Sequence, residues 1–66
     1  MIRIADYPQL SFIAWNRRKD SYVTEEEALA FYEGNWRFVE EDELTEAEKK
    51  LIEDLVRRVG NGVLNV

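Results

Sequence analysis

A mainly α, small three-helix domain is the fold this sequence predicts, and three observations predict it. Two segments begin with helix-capping residues and carry apolar side chains at helical spacing, eight aromatic residues join the Leu, Ile and Val of the chain, and the length is only 66 residues. That length lies below the usual domain size of about 100 to 150 residues, so residues 1 to 66 are read as a single domain with one core. So small a unit buries only about 60% of the surface of its unfolded chain, and its few large apolar residues must be used well. Short β pairing between the chain ends accompanies the helices in this reading. An α+β arrangement, two helices on a small sheet, is the competing architecture.

The elements follow in chain order. Ile2 and Ile4 alternate in the manner of a strand. Asp6 followed by Pro8 resembles a helix start, because proline is tolerated in the first turn, where its missing amide has no partner to lose. Leu10, Ile13 and Ala14 then fit a helical face while Leu10, Phe12 and Ala14 alternate like a strand, and a short helix from Pro8 to Asn16 is expected. The polar run Arg17, Arg18, Lys19, Asp20 and Ser21 reads as an exposed loop.

The second helix opens at Thr24. Its hydroxyl is placed to cap the free amides, Glu27 to complete a reciprocal capping box, and Glu25 and Glu26 to favour the positive end of the helix dipole. Ala28, Leu29, Phe31, Tyr32, Asn35, Trp36 and Val39 keep helical spacing through Gly34. A glycine inside a helix costs only about 1 kcal/mol relative to alanine, which burial of Trp36 can offset, so the helix is extended to about Arg37. The competing reading ends it at Glu33 and makes Trp36 to Val39 a short strand. Glu40 to Glu43 reads as a second loop.

Residues 46 to 59 form the clearest element. Ala47, Leu51, Ile52, Leu55, Val56 and Val59 make a broad apolar stripe, Thr45 and Glu48 have capping-box spacing, and Arg57 and Arg58 occupy the last turn. Gly60 is read as the left-handed stop. The tail from Gly62 to Val66 is apolar and β-favouring, and its expected place is on the core or beside the Ile2 to Ile4 segment.

Composition narrows the chemistry. Without cysteine there is no disulfide framework, thiolate nucleophile or Cys-ligated metal. Without histidine the commonest general base and transition-metal ligand are missing as well. Ser11 lies within an apolar run and Ser21 in a polar loop, so neither is offered as a nucleophile. A carboxylate pair of the glycosidase type needs a sugar-sized cleft that a core this small rarely leaves. The run Glu40, Glu41, Asp42 and Glu43 lacks the alternating ligands and central glycine of an EF-hand loop. No catalytic residue, cofactor or metal site is therefore expected. No apolar stretch approaches the roughly 18 residues that cross a bilayer, so a soluble domain with no membrane partner is expected.

The net charge of −5 is uneven: residues 1 to 23 carry four basic and two acidic groups, and residues 24 to 66 carry five basic and twelve acidic. Nucleic-acid binding by general phosphate neutralisation is not expected from such a balance. Two narrower nucleic-acid roles form the alternative: contact through Arg17, Arg18, Lys19 and Arg37, or mimicry of DNA charge by the acidic helices. The leading expectation is a non-enzymatic protein-interaction or regulatory module, of the antitoxin-like or small-subunit kind. Its candidate partner contacts are Trp15, Arg17, Arg18, Lys19, Trp36, Arg37, Val63, Leu64 and Val66, because tryptophan and arginine are enriched at binding hot spots and an apolar chain end can offer a strand edge to a second copy. A protein partner and a homodimer are accordingly expected.

Taken together, Tyr7-Pro8-Gln9-Leu10, Ala14-Trp15-Asn16-Arg17, Tyr32-Glu33 with Asn35-Trp36-Arg37, and Gly60-Asn61-Gly62-Val63-Leu64 resemble a group of short uncharacterised bacterial proteins. The resemblance implies a bacterial, cytoplasmic origin. It implies no activity and carries over no functional residue.

Overall fold

A computed structural model describes residues 1–64 and contains three α-helices and one two-stranded antiparallel sheet. Strand β1 (Ile2–Arg3) pairs with β2 (Tyr22–Val23), Ile2 opposite Val23 and Arg3 opposite Tyr22. The N-terminal segment is thus a strand as its alternation suggests, and among the described residues its partner is β2. Val63 and Leu64 belong to no strand, while Asn65 and Val66 lie outside the described residues.

A 3-10 turn at Ile4–Asp6 leads from β1 into helix α1 (Pro8–Ile13). Pro8 occupies the first turn, as expected, but the helix stops three residues short of Asn16. Ala14 leaves helical geometry at φ −87°, ψ 61°. Asp6 does not cap α1, because its carboxylate faces the Arg3 guanidinium at 3.4 Å. Tyr7 holds the N-cap position and makes no side-chain capping hydrogen bond.

Helix α2 (Glu25–Asn35) starts as its sequence dictates. The Glu27 amide donates to Thr24 Oγ1 at 3.1 Å, and the Thr24 amide donates to Glu27 Oε1 at 2.9 Å. These backbone and side-chain bonds, joined by Arg17 at 2.6 Å, hold the Glu27 carboxyl below its ordinary pKa of 4.5. The helix runs through Gly34 and then tightens into a 3-10 turn at Trp36–Phe38, so the α-helix ends two residues before Arg37 and no strand forms there. A second 3-10 turn, Glu41–Glu43, occupies the acidic loop.

Helix α3 (Glu46–Arg58) has Thr45 as its cap, with the Glu48 amide donating to Thr45 Oγ1 at 3.1 Å. Only half of the expected capping box forms. The Glu48 side chain turns inward and is fully buried, whereas Ala47 is exposed, so the buried face of α3 runs Glu48, Ile52, Leu55. At its far end, Asn61 (φ 54°) and Gly62 (φ 82°) adopt the left-handed conformation expected of Gly60. Gly60 serves another purpose. A Cβ there would lie 2.7 Å from the Val63 carbonyl oxygen and 3.1 Å from that of Val56, so close backbone approach requires its missing side chain.

The core is aliphatic more than aromatic. Ile4, Leu10, Ile13, Val23 and Leu55 are fully buried, and Tyr32 is the single aromatic residue among the buried core residues. Trp15 and Phe12, which a small chain would ordinarily be expected to bury, are 62% and 57% exposed. The radius of gyration, 10.6 Å, is nevertheless that of a close-packed chain, about 11 Å for this length.

Glu48 ties these elements together. Its carboxylate accepts from the Gln9 amide at 3.0 Å, the Leu10 amide at 2.8 Å and the Tyr32 hydroxyl at 2.7 Å. Free amides at a helix start need acceptors, and α1 receives its cap from a residue almost forty positions away. Gln9 adds a second tie, its Oε1 accepting from the Glu40 amide at 2.9 Å. Among the described residues no buried side-chain polar atom lacks a partner.

Candidate interaction surface

The surface with the greatest capacity for recognition grows out of α1. Leu10 and Ile13 of α1 and the Ala14 that follows it are buried, while Phe12 on α1 and Trp15, two residues beyond its end, are exposed. Their rings lie 6.5 Å apart at an interplanar angle of 24°. The third ring comes from the 3-10 turn after α2. Trp36 packs inward toward Tyr32, at 6.5 Å between centroids, and the tight turn then directs Phe38 outward against Trp15 at 5.1 Å and 90°. Edge-to-face contact at that distance is favourable, since the positive ring edge meets the negative face.

Arg37 completes the cluster, its guanidinium carbon lying 4.9 Å from the Phe38 ring centroid. Buried aromatic side chains remove about 150 to 250 Å² each from water, so rings exposed to this degree leave roughly 300 Å² of aromatic surface in contact with solvent. That matches the largest apolar patch of an ordinary monomer, about 300 to 600 Å², on a far smaller protein.

The other expected contacts separate into groups. Arg17 pairs with Glu27 and lies 5.9 Å from the Phe31 ring centroid, so it helps to fasten the turn to α2. Arg18 pairs with Asp20 at 3.3 Å in an exposed position. Lys19 is exposed in the same turn. Trp36 is half-buried, lining a shallow depression with Glu33, Gly34 and Arg37. Val63 is 55% exposed and Leu64 packs on the core, both at the opposite end of the sequence from the aromatic cluster; Val66 lies outside the described residues.

Structure therefore joins Trp15 and Arg37 through a ring that sequence reasoning left out, Phe38, and extends the surface to a second such ring, Phe12. A signal for Phe12 was present. It stands three residues before Trp15, on the side of α1 away from Leu10 and Ile13. Nothing comparable marks Phe38, whose direction depends on the 3-10 turn.

The buried network is the other concentration of polar chemistry. Burial, followed by the hydrogen bond and charge of Glu48, raises the Tyr32 pKa far above its ordinary value of 10.0. Glu48 itself is fully enclosed. The acidic 3-10 turn lines only a shallow open depression, and among the described residues no group of acidic side chains is arranged to hold a metal ion. No helix among the described residues is long and apolar enough to cross a membrane.

No protein-family model matches the chain, and no curated protein or solved structure shows a match to it.

Proposed function

We propose that this chain is a non-enzymatic protein-interaction module of the bacterial cytoplasm, and that it binds through Phe12, Trp15 and Phe38 with Arg37 at their edge. The observation that carries the reading is the exposure of Phe12 and Phe38, each packed against the exposed Trp15, on a protein whose buried core is mainly aliphatic. Rings held against one another lose little freedom on binding, and aromatic residues with arginine make up the usual centre of a binding hot spot. The basic turn offers weaker support for the nucleic-acid alternative, because Arg17 and Arg18 already face carboxylates.

The test compares the wild-type protein with a Trp15→Ser, Phe38→Ser variant as baits in bacterial cytoplasmic extract. A protein retained by the first and lost by the second, with circular dichroism unchanged between them, supports the reading. Retention of the same proteins by both baits refutes it.

A further inference from the structure

The aromatic rings have an acidic border. Phe38 leads through buried Val39 into Glu40, Glu41, Asp42 and Glu43, all exposed. Two virtual bonds of 3.8 Å separate the Phe38 and Glu40 Cα atoms, so the acidic segment begins within about 7 Å of the ring-bearing residue. Its backbone is held in place. The Glu40 amide donates to buried Gln9 at 2.9 Å, the Glu43 amide donates to the Glu40 carbonyl at 2.9 Å, and Leu44 packs on the core. Among the described residues, none of these carboxylates has an ion-pair partner. The neighbouring arginines are already engaged: Arg17 with Glu27 at 2.6 Å, Arg18 with Asp20 at 3.3 Å, and Arg37 over the Phe38 ring at 4.9 Å. Negative charge therefore dominates beside the rings.

We infer that the rings take a cationic segment of another protein, with an apolar side chain seated against Trp15 and Phe38 and neighbouring lysine or arginine side chains over the acidic turn. The inference rests on the aromatic surface being an interaction surface and adds the chemistry of what binds it. Charge complementarity makes the choice. Rings alone accept many apolar groups, whereas a border of unpaired carboxylates attracts cations and repels nucleic-acid phosphate, anionic lipid headgroups and acidic proteins. The net charge of −5 has the same sign, so a basic partner is also steered toward the chain from a distance. Exposed ring faces attract guanidinium and ammonium groups directly, as Phe38 already does with Arg37. A second copy brings the same net charge and the same acidic turn to the contact, and is the poorer fit. Because the backbone of the turn is fixed beforehand, little of it has to be ordered on binding.

Selection from a random peptide library on the full wild-type chain tests the inference, with the Trp15→Ser, Phe38→Ser variant used to discard peptides that bind elsewhere. The retained peptides are expected to carry an apolar residue beside an excess of lysine and arginine. Fluorescence anisotropy of one labelled peptide then measures the contributions. Its affinity should fall by about 100-fold in the double serine variant, the loss of two hot-spot residues. Glu41→Lys with Asp42→Lys should weaken it by about tenfold, and rising salt should weaken binding to the wild type. A charge exchange gives the sharper test. The same peptide with glutamate in place of its basic residues should lose the wild-type chain and bind the Glu41→Lys, Asp42→Lys variant more tightly than it binds the wild type.

Ring-dependent peptides without a basic excess overturn the inference and leave the interaction surface standing. A selection that yields no ring-dependent peptide overturns the inference, and the bait comparison then judges the surface separately. Equal affinity of the labelled peptide for the wild type and the Glu41→Lys, Asp42→Lys variant removes the acidic border from the account and overturns it too. Self-association of the wild-type chain that disappears in the double serine variant, read by sedimentation, assigns the rings to a second copy and has the same consequence. Circular dichroism of every variant separates loss of binding from loss of fold.

Discussion

Replacing Glu48 by alanine removes the acceptor from three donors at once: the Gln9 and Leu10 amides and the Tyr32 hydroxyl. A buried donor left without a partner costs about 1 to 3 kcal/mol, and bonds to a charged group stand at the upper end. Against that, the variant no longer has to desolvate a carboxylate, a penalty of several kcal/mol in the native protein. The balance observed when one member of a buried charged network is removed is a loss of about 3 to 5 kcal/mol. A domain of this length has about 3 to 10 kcal/mol of stability in total, so the variant should lose a third of it at least and can lose all. Urea unfolding followed by circular dichroism reads the loss. With a slope of about 1 kcal/mol per molar urea, the midpoint should fall by about 3 M or the folded baseline should vanish. A second substitution distinguishes the network from general damage to the core. Tyr32→Phe should cost about 1 to 2 kcal/mol in the wild-type background, where a hydrogen bond is lost, and nothing in a still-folded Glu48→Ala background, where it removes an orphan hydroxyl. Glu48→Ala costing less than about 1 kcal/mol, or Tyr32→Phe costing the same in both backgrounds, would refute the reasoning.

Gly34→Ala should stabilise the protein by about 0.5 to 1 kcal/mol, because helix α2 runs through the position and an added Cβ meets nothing within 4 Å. The melting temperature should rise by about 2 to 8 °C. Gly60→Ala should destabilise by about 1 to 3 kcal/mol in the same thermal assay, since its Cβ would press on the Val63 carbonyl oxygen, a backbone atom that cannot step aside. Alkaline pH should weaken the fold through Tyr32. Its hydroxyl keeps its proton in the folded state and loses it near pH 10.0 once unfolded, so its contribution is present below that pH and declines above it. Tyr32→Phe should therefore show a shallower decline of stability between about pH 9 and pH 11, measured by urea unfolding at each pH.

What the sequence made legible was local. The Thr24 cap with Glu27, the Thr45 cap, the continuation of α2 through Gly34 and the amphipathic run of α3 all depend on residues within a turn or two of each other. Errors arose where a distant partner decides. Glu48 has the spacing of a capping-box residue relative to Thr45, and nothing near it in sequence announces that α1 has amides to satisfy. The fate of the aromatic rings was hidden for a related reason, because composition gives their volume and not their side of the helix. With α1 only six residues long, its apolar pattern fitted a helix and a strand about equally well. Gly60 follows the same logic: its position after α3 suggested a left-handed residue, whereas the Val63 and Val56 carbonyls set the real requirement. Of the surface, Trp15 and Arg37 were recognisable from residue type, Phe12 from its spacing, and Phe38 from neither.

The cap that α1 borrows from α3 also orders events during synthesis. A ribosome delivers the chain from its beginning, and a helix as short as α1 is marginal by itself in water. Its two amides meet their acceptor only after Glu48 has emerged, so the early segment must wait, unstructured or held by other contacts, for the late one. Folding of this protein should accordingly behave as one event that closes the chain, and fragments that stop short of Glu48 should show no trace of the first helix.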